Sequence, residues 1–78
     1  MDRYAVFAAG AVSYRLHGVY ADRGRAVEHY NRLASRAEAV LALVGDAGTV
    51  TVLAAGGLST EGVARDPVFL DAVRGAVG

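Results

Sequence analysis

Seventy-eight residues, eight acidic and eight basic side chains and no cysteine exclude disulfide cross-links and thiolate metal sites, and a chain this short makes one domain, residues 1–78, with a thin stability margin. The zero net charge lacks the global positive field of a general nucleic-acid binder, so nucleic acid is not an expected partner. The remaining remedy for a small core is a second subunit, and a homo-oligomer, in the first instance a dimer, is the expectation.

The apolar fraction is 54%, but 16 of those residues are alanine, with 12 valines, 7 leucines and only two phenylalanines, Phe7 and Phe69. That supplies one modest core with some apolar surface left over. No basic, apolar leader follows Met1-Asp2-Arg3, and cytoplasmic is the default location. The most membrane-like window, Val40 to Thr60, contains Asp46 and four glycines and does not read as a membrane span.

In chain order, Tyr4 to Ala9 is a short apolar run. After Gly10, Val12, Tyr14 and Leu16 alternate with Ser13, Arg15 and His17, which predicts a half-buried strand and a β-hairpin around Gly10. The strand can continue to Tyr20, with Gly18 able to tolerate a bulge. Asp22 is placed to cap a helix. Behind it Ala26, Val27, Tyr30, Leu33, Ala34, Ala37, Val40, Leu41 and Val44 form one helical stripe. Unbroken, that helix is about 33 Å long at about 1.5 Å per residue. The competing parse makes residues 39–44 (AVLALV) a strand, because a short apolar run fits either period; helix is the expectation because its phase runs on unbroken.

Gly45 and Gly48 turn the chain. Thr49 to Ala54 alternates threonine and valine and is the clearest strand. Gly56-Gly57 ends it, and Leu58 to Arg65 reads as loop or at best one helical turn. Asp66-Pro67 signals a helix start, with Val68, Phe69, Ala72, Val73 and Val77 at helical spacing behind it. The expected fold is therefore α+β, order ββαβα: a three-stranded sheet covered on one face by one long helix and one short C-terminal helix. Subunit contacts are expected at Val40, Leu41 and Leu43 or at Phe69 and Val73.

Chemistry-bearing motifs are sparse. Ser13, Ser35 and Ser59 lie outside any G-x-S-x-G context, so no catalytic nucleophile is assigned. His17 and His29 show no metal-ligand spacing, and neither a metal nor a cofactor is expected. Gly56, Gly57, Ser59 and Thr60 after a strand could cradle a phosphate with backbone amides and hydroxyls, although the spacing of a phosphate-binding loop is missing. Arg25, His29, Arg32 and Arg36 step by four, three and four along one face of the long helix. Arginine can grip phosphate or carboxylate through its planar fork, and Arg15 and His17, on the polar face of the second strand, are candidate neighbours.

Tyr14 to Leu33, YRLHGVYADRGRAVEHYNRL, resembles the strand-then-helix unit of sporulation-related repeat domains. The resemblance covers about a quarter of the chain, lacks the second strand–helix half, and carries over no functional residues. The first functional expectation is a non-enzymatic interaction or structural module that self-associates or takes a protein partner. An anion- or nucleic-acid-binding module using the arginine-lined helix face is the alternative, and a small enzyme with a site at a subunit interface comes third.

Overall fold

The computed structural model describes residues 2–77. Strand β1 (Arg3–Ala9) turns back through Gly10–Ser13 into β2 (Tyr14–Tyr20); helix α1 (Arg23–Ala34) follows, then strands β3 (Ala39–Val44) and β4 (Val50–Ala55) and helices α2 (Thr60–Arg65) and α3 (Pro67–Val77). The four strands form one sheet in the order β2-β1-β3-β4, with every neighbouring pair antiparallel. The α+β class agrees with the sequence. The strand count of three does not, because residues 39–44 are a strand.

That difference has a physical cause. β3 is an inner strand covered on both faces, and all but one of its six residues are buried. A strand buried on both sides has no polar face, so its sequence loses the two-residue alternation that would separate it from a helix. The helix that was expected to run to Val44 stops at Ala34 instead. Ser35 closes it: its amide donates to the Asn31 carbonyl, and its hydroxyl donates to the Arg32 carbonyl at 2.7 Å.

The helices also divide between the two faces, where the sequence predicted both on one. Alternate residues of β1 explain the division. Ala5 and Phe7 point to the side of α2 and α3, where they pack with Val40, Ala42, Val44, Val63, Phe69 and Val73. Val6 points to the side of α1, where it packs with Ala26, Leu33, Ala39 and Leu41. Because each face of the sheet has its own cover, the sheet is the middle of three layers.

Phe69 is fully buried and holds the first core together. Its ring meets Phe7 at 5.3 Å and Tyr14 at 5.1 Å between centroids, both edge-on, an arrangement that adds about 0.5–1.5 kcal/mol per pair beyond area burial. Asp66 sets the helix that carries it. One carboxylate oxygen accepts from the Val68 amide at 2.9 Å, and the other accepts from the Tyr14 hydroxyl at 3.1 Å. Burial, then the Asp66 hydrogen bond and charge, raise the Tyr14 pKa above its ordinary 10.0. The predicted cap is therefore present, and it also ties α3 to the hairpin.

Leu58 to Arg65, read as loop, contains α2. Ser59 caps it, accepting from the Gly62 amide at 3.2 Å. Six residues with Val63 as the buried side chain are too short to show a period. The side chain of Val77 lies outside the described residues.

Of the expected subunit contacts, Leu43 is half-buried and the other four are not available at the surface. Val40, Leu41, Phe69 and Val73 are all buried within the single chain, so they are spent on its own core. The large apolar side chains that are exposed are Val12, Leu16, Val19, Leu53 and Val68. Among the described residues, no helix is long and apolar enough to cross a membrane.

Candidate anion-binding site

The site begins with an irregularity in the hairpin. Phe7 lies opposite Leu16 and Val6 opposite Gly18, so His17 has no partner across the strand. This is a β-bulge, which bends a strand and re-aims its side chains. Tyr14, Leu16 and Val19, opposite Ala9, Phe7 and Ala5, keep to the α3 side. Arg15, opposite Ala8, lies on the α1 side, and so do His17, the side of Gly18 covered by Tyr20 and His29, and Tyr20 itself.

Helix α1 brings His29 onto this strip. The helix is oriented by its apolar face and by its start, where the Asp22 carboxylate accepts from the Gly24 amide at 3.2 Å. His29 Nδ1 and the Tyr20 hydroxyl share a hydrogen bond of 2.7 Å. The His17 ring stands 6.1 Å from the His29 ring, centroid to centroid. Gly18 forms the floor. A Cβ there would lie 2.9 Å from Tyr20 Cε2 and 3.1 Å from His29 Nδ1, closer than packed atoms tolerate, so a side chain would push the pair apart.

The electrostatics point the same way as the geometry. Burial lowers the His29 pKa from 6.5, and the positive charges of Arg32, His17 and Arg36 lower it further. Charges from more than one element thus act on one imidazole. Among the described residues, Arg15, Arg32 and Arg36 have no ion pair.

Of the six residues predicted from the helix and strand, the structure draws His17, His29, Arg32 and Arg36 together electrostatically, with Arg15 on the same side of the sheet. Arg25 is different. It lies 3.9 Å from Asp22, with both side chains largely exposed. Arg36 lies in the turn beyond the end of α1 rather than on the helix. Its charge still reaches His29.

The second candidate, the glycine pair after β4, has other work. Gly57 takes φ +78° at the turn, a conformation that suits glycine. Gly56 fits beneath Tyr30, whose hydroxyl would be 3.3 Å from a Cβ. The Ser59 hydroxyl is engaged as the α2 cap, and Thr60 is the first residue of that six-residue helix.

Two members of the strip went unselected in the sequence, Tyr20 and Gly18. The signal for Gly18 was present, since a glycine after His17 permits the bulge. Tyr20 carried none, because its partner is nine residues away. A count by halves was also available. Six of the eight arginines but four of the eight acids lie in residues 1–39, so the neutral total conceals a small positive excess in the first half. Among the described residues, no group of three or more His, Cys, Asp or Glu side chains could hold a metal ion. Compared with protein-family models, with curated proteins and with solved structures, the chain matches none.

Proposed function

We propose that this domain is an anion-binding module whose ligand carries phosphate, held where α1 crosses the bulged end of β2. The observation that carries this reading is the meeting of the His17 and His29 rings, 6.1 Å apart beside Tyr20, with the charges of Arg32 and Arg36 acting on His29 and, among the described residues, no ion pair on either arginine. Exposed arginines on a helix ordinarily face water or pair with a neighbouring acid. Here a bulge, a side-chain-free floor and a tyrosine–histidine hydrogen bond orient the groups beside them. Guanidinium and imidazolium groups match phosphate oxygens in charge and hydrogen-bond geometry. The first half of the chain, with six arginines and four acids, carries a small positive excess within the neutral total.

The test is binding of a fluorescent oligodeoxynucleotide at low ionic strength, followed by anisotropy. Binding is expected to weaken steeply with salt as counterions compete. Replacing Arg32 and Arg36 together by glutamine should weaken it further while leaving the melting temperature in place. Salt-independent binding, or none, would reject the reading.

Self-association is a second reading, supported by a different surface. Val12 is 86% exposed and Val68 45% exposed, and both line a shallow cleft beside Tyr14. Leu16 and Val19 extend that apolar strip along β2. Bulges in both edge strands oppose strand-to-strand pairing, so a dimer would join through these side chains. Light scattering across a size-exclusion peak checks it: Val12→Asp combined with Val68→Asp should convert a dimer to a monomer.

A further inference from the structure

We infer that His29 and His17 are a general acid–base pair able to cleave RNA by attack of a ribose 2′-hydroxyl on the adjacent phosphodiester. The inference rests on the phosphate-binding reading above and assigns that site a substrate and a reaction.

Three features carry it. Two imidazoles with centres 6.1 Å apart can each reach a different oxygen of one tetrahedral phosphate at ordinary hydrogen-bond distance. They come from different elements, and the bulge that re-aims His17 is a feature that recurs beside active sites. His29 is held by its Tyr20 hydrogen bond at 2.7 Å, as a catalytic base is held by an orienting partner. In the tautomer whose Nδ1–H donates to the tyrosine oxygen, Nε2 keeps a free lone pair, and that is the form the reaction uses. The lowered pKa of His29, caused by burial and by Arg32, His17 and Arg36, favours that neutral form near pH 7.

The choice of RNA follows from what the site lacks. It offers proton donors, proton acceptors and cations, but its one hydroxyl is bonded to His29. The nucleophile must therefore arrive with the substrate, and a ribose places one beside each phosphate. In the reaction the 2′-oxygen forms a bond to phosphorus as its proton passes to His29 Nε2. The bond from phosphorus to the 5′-oxygen breaks, and that oxygen takes a proton from the imidazolium form of His17. The products are a 2′,3′-cyclic phosphate end and a 5′-hydroxyl end. Arg32 and Arg36, without ion-pair partners, are placed to offset charge that builds on the other phosphate oxygens.

The experiment incubates the full chain with a labelled oligoribonucleotide, with and without chelator, and with its deoxy counterpart. Cleavage of the ribo strand alone, leaving cyclic phosphate ends, is expected. His17→Asn and His29→Asn, purified identically, should each slow cleavage by about 100-fold or more, a far larger loss than the accompanying weakening of deoxy-strand binding. His17 is exposed on an edge strand, so its variant keeps a folded protein in the comparison. Binding of the deoxy strand with no ribo cleavage overturns the acid–base pair and leaves the binding site standing. Cleavage that persists in the double histidine variant also overturns it. Failure to bind either strand removes both.

Discussion

The two faces of the sheet are built from different materials. Toward α2 and α3 the core contains Phe7, Phe69, Val63 and Val73, with Tyr14 packed against it and hydrogen-bonded at its rim. Toward α1 the buried set is Val6, Ala26, Leu33, Ala39 and Leu41, with two alanines among five residues. Large aromatics bury more area and interlock more specifically than alanine. Alanine instead lets a helix lie close to its sheet. On the α1 side polar groups remain at the edge, where His29, Tyr20 and His17 meet over a glycine. One face holds the fully buried aromatic rings, and the other, with Tyr4, Tyr20 and Tyr30 packed around a smaller buried set, presents polar groups at its edge.

Mutations on the two faces should therefore differ in size. Phe69→Ala is expected to cost about 3–5 kcal/mol, against a total of about 5–15 kcal/mol for a domain, and to leave the chain largely unfolded by circular dichroism. Leu33→Ala, on the α1 side, should cost nearer about 2–3 kcal/mol. Should Leu33→Ala prove the more damaging, that ordering of the two faces is wrong. Asp66→Ala comes next, at about 0.5–2 kcal/mol for a lost cap, read as a shift in the urea midpoint. Because Asp66 also holds the Tyr14 hydroxyl, the upper part of that range is expected.

Gly18→Ala should cost at most about 1 kcal/mol of stability and yet weaken oligonucleotide binding. Its Cβ would occupy the 2.9–3.1 Å space beside Tyr20 and His29. Loss of folding without a separate loss of binding would return Gly18 to a packing role.

The smallest effect is on pH dependence. His29 titrates lower in the folded chain than its ordinary 6.5, so the native state binds this proton less readily than the unfolded one. The stability this contributes is present above the unfolded value and is lost as pH falls through the lower folded one. The melting temperature should therefore drop slightly between pH 7 and pH 5. Arg32→Gln removes the second-ranked cause of the shift. It should raise the His29 pKa in an NMR titration and shrink that drop.

Most of the fold was legible where one face of an element meets water. The second strand, the Asp22 and Asp66 caps and the Gly48 turn were visible as local patterns and are present in the fold, although the strand begins at Tyr14 and leaves Val12, expected on its buried face, 86% exposed. β3 was not, since burial on both sides erases the pattern that separates strand from helix. Adding those residues to a helix produced the overlong element and the missing strand together. α2 was hidden by its length. In the site, the arginine and histidine types stood out, whereas the Tyr20–His29 hydrogen bond and the approach of His17 depend on how α1 crosses β2, which no local pattern records.

The central claim is that one phosphate site is built by His17, His29 and their arginines. The most direct measurement follows the imidazole and backbone resonances of the chain by NMR during titration with the oligodeoxynucleotide at low ionic strength. The account predicts that the His17 and His29 signals and the amides around Gly18 move together along one saturable curve, while the amides of residues 56–60 stay in place. Shifts centred on residues 56–60 with both imidazoles unmoved would contradict it.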